Sequence, residues 1–293
     1  MRDRLLYLML IPGILFFAIF KYLPMAGLSI SFMDYNPFLG ILKSNWVGLK
    51  HFLRLFGEPM FFRLFSNTLI LAAYNLFFFF PLPIIVALLL NELAGQKYKN
   101  FIQTAVYIPH FISWIVVVGI CYTMLSPQSG IITEILRGPG GETVNLLGDV
   151  RWFRPLITLQ VIWKETGWGT IIFLAALAGV NVELYEAAII DGANGWQRLL
   201  SITLPAIRST IVIMLILRMG NFLDSGFEQV FLMQNSLNRN VSEVFDTYVY
   251  TSGLLNGQFS YSAAVGFFKS LVSLFLIVSV DRLAKAFGEE GLY

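Results

Sequence analysis

The chain has 293 residues, of which 57% are hydrophobic and 13% charged, with 27 phenylalanines and a mean hydropathy of +0.70. Soluble domains run near half apolar and a quarter charged, so this composition excludes a water-soluble protein. A net charge of +2 without any Lys/Arg run excludes nucleic acid as a partner, and a single cysteine, Cys121, excludes an internal disulfide or a thiolate metal cluster.

The N-terminus, Met1-Arg2-Asp3-Arg4, leads into an apolar run from Leu5 that continues to about Met33. That run is too long for the centre of a signal peptide and has no small-residue cleavage site, so a spanning helix is expected. Five further runs pass the same length test: Asn67 to Glu92, Gln103 to Leu125, Phe153 to Val180, Ala206 to Met233 and Tyr261 to Leu283. Six spans put both termini on one side of the membrane. Pro12, Pro24, Pro81 and Pro83 fall inside spans, where kinks are expected. Asp34 to Ser66, Ser126 to Trp152 and Gln234 to Ser260 form one set of loops, with a turn expected at Arg137-Gly138-Pro139-Gly140-Gly141. Lys and Arg tie between the two sides, so charge does not set the orientation. The reading is an all-α integral membrane protein, residues 1–293 forming one transmembrane domain.

Between the fourth and fifth spans stands Glu186-Ala187-Ala188-Ile189-Ile190-Asp191-Gly192-Ala193, followed by Ile202-Thr203-Leu204-Pro205. Helix formers, then a glycine where another surface could come close, then a proline able to open the next helix, describe a short helix outside the membrane. Its carboxylates beside small alanines suit insertion into a partner's groove, although an amphipathic helix without a partner gives the same pattern. The segment resembles the EAA loop of ABC importer permeases. Further stretches, Phe20 to Met25, Pro109 to Trp114, Trp163-Lys164-Glu165 with Leu174 to Leu177, and Asp246 to Tyr250, resemble the LplB-type oligosaccharide branch of the maltose-type permeases. Ser209 and Leu199 depart from that pattern, which more often has a proline and an aromatic there.

The resemblance implies a type I ABC importer permease fold with a cytoplasmic coupling loop at about 181–205 and cytoplasmic termini, in the cell membrane. It implies that Glu186, Ala187, Ala188, Asp191, Gly192, Ala193, Leu204 and Pro205 dock on the ATPase. The implied partners are a second, similar permease, two ATP-binding subunits and an extracellular lipid-anchored solute-binding protein. No cofactor is expected in this chain, Mg-ATP belonging to the ATPase, and neither a catalytic residue nor a metal ligand is expected.

Charges at membrane depth cost a few kcal/mol even on mild scales, so Lys164, Glu165, Arg218, Asp224, Glu228 and Lys269 must face protein or water. Arg218, Asn221, Phe222 and Ser225 recur at i, i+3, i+4 and i+7 and are expected on one helical face; Lys164 and Trp168 share a face of the fourth span, with Gly167 leaving room between helices. Aromatics mixed with hydrogen-bonding groups suit a sugar. By resemblance the sugar path covers Val161, Lys164, Glu165 and Trp168 with Arg218, Asn221, Phe222 and Ser225. If Lys164 and Arg218 are unpaired they favour acidic sugars; if paired with Glu165, Asp224 or Glu228 they fix helix packing.

Two rivals remain at this stage. An ion-coupled secondary transporter would use Glu165, Asp224 and Glu228. An intramembrane enzyme would need clustered His, Asp or Ser, yet the only histidines are His51, expected in an outer loop, and His110, expected as a packing residue near a cytoplasmic end. No G-x-x-x-x-G-K-[ST] phosphate cradle is present, so any ATP hydrolysis falls to another chain.

Overall fold

In the computed structural model, residues 2–93, 95–137, 141, 144–288 and 291 are described. Gly138, Pro139 and Gly140 of the expected turn lie outside the described residues. Among the described residues, four helices are long and apolar enough to cross a membrane, Tyr7–Phe32, Pro59–Glu92, Val150–Ala178 and Phe259–Ala286. Two bent pairs bring the number to six if each pair is counted as one span: Gln96–Phe111 with Trp114–Leu125, and Gly195–Ala206 with Arg208–Gly220, the first member of the second pair belonging to the 181–205 loop.

Two expected spans are therefore corrected. The third is not one helix, because Pro109 lacks an N–H and the chain passes through a 3-10 turn at Ile108–Phe111 before restarting at a 97° angle. Ser113 caps the new helix, its side chain accepting from the Val116 amide. The fifth stops at Gly220 rather than Met233: Asn221, Asp224, Ser225 and Gly226 form a turn, and a separate helix occupies Phe227–Met233. The expected loops carry helices of their own, including Lys50–Gly57, Ile131–Arg137 and Phe245–Val249.

Two of the four span prolines, Pro24 and Pro81, and Pro205 with them, produce something other than simple kinks. Before Pro24, Pro81 and Pro205 the chain widens into π turns at Ala18–Tyr22, Asn75–Phe79 and Leu199–Thr203. In each, the residue just ahead of the proline bonds five residues back, Leu23 to Ala18, Phe80 to Asn75 and Leu204 to Leu199. A proline ring clashes with the carbonyl four residues earlier, and the extra residue in the turn relieves that clash while the helix continues.

The chain divides into two compact units. In the unit of residues 1–64 and 245–271, Met33–Asp34 pairs antiparallel with Asn45–Trp46. Phe32 sits among Trp46, Phe52 and Phe267. Glu58 accepts from Arg54 Nε at 2.7 Å, Tyr261 Oη at 2.9 Å and Tyr248 Oη at 3.3 Å. Burial raises the Glu58 pKa, but those hydrogen bonds outweigh it and leave the carboxyl below its ordinary range. In the unit of residues 65–244 and 272–293, the long Val150–Ala178 helix is central. One side contributes Phe153 and Ile157 to a core with Leu71, Val118, Val230 and Met233; farther along, Phe173 and Leu177 pack with Ala87 and Ile207.

Candidate functional site

The Val150–Ala178 helix presents Val161, Glu165 and Trp168 at i, i+4 and i+7, one face of a helix. Opposite them stand the π turn Asn75–Phe79 and the end of the Arg208–Gly220 helix. Two adjoining cavities of about 360 Å³ and about 330 Å³ share Val161, Glu165, Arg218 and Asn221. The first has an aromatic wall of Phe79, Phe80, Trp168 and Phe173; the second has a polar wall of Asn75, Asp224, Ser225 and Gln229. Both fall in the size range of small-molecule sites.

The two intramembrane cations are in different states. Lys164 is buried; its Nζ donates to the His110 carbonyl at 2.5 Å, reaches Glu165 Oε1 at 3.2 Å and lies over the Trp114 ring at 5.4 Å. It is not among the residues that line the cavities, and the partners that hold it, Glu165 and Trp114, are; it is a packing ion behind that wall. Glu165 is held a second time, by His110 Nδ1 at 2.7 Å from Oε2; a carboxylate only accepts, so Nδ1 carries the hydrogen. Arg218 stacks its guanidinium over the Phe79 ring at 5.4 Å and, among the described residues, makes no ion pair. A guanidinium offers five donors, more than a ring face satisfies, and the carboxylates of Glu165 and Asp224 line the second cavity with it without a direct ion pair.

Six of the eight sugar-path residues anticipated from sequence border the cavities: Val161, Glu165, Trp168, Arg218, Asn221 and Ser225. Lys164 and Phe222 are not among the lining residues. The single helical face expected for Arg218, Asn221, Phe222 and Ser225 does not exist, because Asn221 caps the helix at φ −106° and the turn that follows carries Ser225 round to the polar wall. Gly167 has the role expected of it: a Cβ there would fall 2.1 Å from the Val106 carbonyl oxygen, so the helix carrying Val106 crosses in backbone contact. His110 is at the bend between two helices, its ring stacked on the Trp168 indole at 4.4 Å and 6°. His51 lies on the Lys50–Gly57 helix, buried, with Nε2 3.1 Å from the Met33 carbonyl and from Asp34 Oδ1. Sequence reasoning missed Asn75, Phe79 and Gln229 as lining residues; the signal available was Pro81, which sets the π turn that presents the first two.

The 181–205 loop is built of capped pieces. Asn181 caps Val182–Ile190 by accepting from the Glu183 amide at 3.0 Å, and Asn194 and Gln197 form a reciprocal capping box on Gly195–Arg198. At the C-terminus of the first helix Ala193 N–H reaches Ala188 O at 2.8 Å and Gly192 N–H reaches Ile189 O at 3.0 Å, a Schellman closure. Gly192 has φ +79°, and nothing lies within 4 Å of where its Cβ would be. The reason for glycine is therefore the left-handed turn, not close approach of another part of this chain. Glu186, Ala187 and Asp191 are exposed, Ala188, Ala193 and Leu204 half-buried, and Pro205 lies in the first positions of the Leu204–Ala206 turn. Around them Ile190 is 85% and Trp196 74% exposed, and Tyr185 Oη meets Thr203 Oγ1 at 2.9 Å, tying the two helices together.

Comparison with known proteins shows the family. The family described as binding-protein-dependent transport system inner membrane component matches residues 79–289. The chain is similar to the polygalacturonan/rhamnogalacturonan transport system permease protein YteP of Bacillus subtilis (strain 168), with 56% identity over 292 residues covering 100% of this chain and 91% of that one. It is equally similar, at 56% over 100% of this chain and 92% of the other, to protein LplB of the same organism. Among solved structures, a chain of a bacterial alginate ABC transporter in complex with an alginate pentasaccharide-bound periplasmic protein superposes with a TM-score of 0.91, 38% identity and coverage of 99% and 97%. A second structure, of an ABC transporter involved in import of the acidic polysaccharide alginate, gives a TM-score of 0.89, 39% identity and coverage of 97% and 96%.

Proposed function

We propose, because the chain belongs to the family of binding-protein-dependent transport system inner membrane components, that it is the permease through which an acidic oligosaccharide enters the cell. The observation that carries the substrate class is Arg218, a cation facing two cavities with its donors uncommitted and an aromatic wall beside it. A uronate sugar supplies what such a wall lacks: a carboxylate for the guanidinium and an apolar C–H face for the indole. Relatives support the same class, one being named for polygalacturonan and rhamnogalacturonan and another importing an acidic polysaccharide.

In this reading residues 1–293 act as one transmembrane domain beside a second, similar permease. A lipid-anchored solute-binding protein delivers the sugar on the outer side. Two ATP-binding subunits hold Mg-ATP on the inner side, and the 181–205 loop and both termini are cytoplasmic. The loop residues Glu186, Ala187, Ala188, Asp191, Gly192 and Ala193, followed by Leu204 and Pro205, dock on an ATPase subunit. Exposed Ile190 and Trp196 supply apolar area for that contact, and the capped, cross-tied loop is stiff enough to pass on the ATPase's movement. No residue of this chain performs covalent chemistry; closure of the ATPase subunits alternates the side from which the cavities are reached.

The test is substrate selectivity. In proteoliposomes carrying the complete complex, Arg218→Gln should reduce trigalacturonate uptake roughly tenfold or more, the scale of one charged hydrogen-bonding partner. Uptake of a neutral trisaccharide should not fall with it. An equal loss for both sugars makes Arg218 a packing residue and removes the support for an acidic substrate.

A further inference from the structure

We propose that His110 is a positioning residue, holding the Trp168 indole as a fixed platform for a pyranose ring of the passing sugar. The inference rests on the transport reading above and adds a residue to its site.

An indole on the outside of a helix samples several rotamers, and a sugar that stacks on it must first select one. Here that selection is made beforehand. The His110 imidazole lies parallel to the indole, with centroids 4.4 Å apart and planes 6° from each other, while Phe111 meets the indole edge-on at 6.4 Å. One face of Trp168 is thus covered by protein, yet the residue remains 48% exposed and borders the aromatic cavity.

The platform's support is itself held. Glu165 accepts from Nδ1 of His110 at 2.7 Å, and Lys164 donates to the His110 carbonyl at 2.5 Å, so ring and backbone are fixed by consecutive residues of the helix that carries Trp168. The close crossing at Gly167 and Val106 brings the segment that leads to the bend into backbone contact with the same turn. A phenylalanine would provide the ring but not the tether, and a glutamine the tether but not the ring. The contact with His110 and Lys164 also occupies Glu165, which would otherwise repel an anionic sugar beside Arg218.

Uptake kinetics of the complete complex in proteoliposomes test this, with trigalacturonate as the probe and a neutral trisaccharide if wild type transports only that. His110→Ala should raise KM roughly three- to tenfold, the range expected when one aromatic pair is lost, with Vmax and complex yield close to wild type. His110→Phe should restore most of the KM, and His110→Gln should not. A wild-type KM in His110→Ala overturns the proposal. So does a fall in yield and Vmax at unchanged KM, or equal KM values for the Phe and Gln variants. Should His110→Ala fail to assemble, the Phe and Gln pair decides alone. KM is read with whichever sugar the wild type takes up, so the outcome is independent of the selectivity ratio that tests Arg218.

Discussion

Two cations on neighbouring membrane helices, Lys164 and Arg218, have the same formal cost in lipid and different fates in the fold. Lys164 is satisfied by a carbonyl and a carboxylate within its own packing layer, whereas Arg218 faces space. Hydropathy and spacing recognised both as buried charges, but pairing depends on rotamers and on the bend at Pro109, which no helical period encodes. At Gly167 the sequence was more informative, because a glycine inside an apolar span allows another helix to come close. Gly167→Ala places a methyl 2.1 Å from a backbone oxygen, a clash that side-chain motion does not relieve. It should destabilise the complex by about 1–3 kcal/mol, the usual cost of overpacking, and lower its melting temperature in detergent. Gly119→Ala, with nothing within 4 Å of the added carbon, is the matched control and should melt at the wild-type temperature or slightly above. Equal melting of the two variants would contradict the crossing geometry.

Among the elements, six apolar runs were legible, and the first, second, fourth and sixth correspond to continuous spans with end shifts of a few residues, eight at the start of the second. The third and fifth break because hydropathy averages over the residues that break them. Pro109 in one and the Asn221, Asp224, Ser225, Gly226 turn in the other are local signals that a long window smooths away. The prolines were visible, but their effect was not. A kink and a π turn answer the same steric problem, and only the three-dimensional neighbourhood selects between them. The turn before Pro81 shapes the cavities, since it puts Asn75 on the polar wall and Phe79 under Arg218. Pro81→Ala removes the need for the extra residue. An ordinary α-helix in its place rotates Asn75 and Phe79 by roughly 100° relative to the segment that follows. Uptake should fall severalfold while the melting temperature of the complex holds or rises, an outcome opposite to that of a packing defect. Full uptake in Pro81→Ala would show that the π turn plays no part in shaping the path.

The whole molecule is an all-α membrane permease whose family works with a binding protein and an energy source outside this chain. The local structure of the 181–205 loop was legible because its chemistry is local: caps, a left-handed glycine and a helix-opening proline all declare themselves within twenty-five residues. The cavity lining was half legible, since it gathers residues from elements separated by more than a hundred positions. Glu165, Asp224 and Glu228, the carboxylates that an ion-coupled carrier would need, give the energy source a direct test. The deciding measurement is trigalacturonate uptake into proteoliposomes that hold the permease pair, the ATPase and the binding protein. ATP supplied to the nucleotide-binding side without any ion gradient should drive accumulation, and a proton or sodium gradient without ATP should drive none. Accumulation on the gradient alone, with ATP making no difference, would contradict the account.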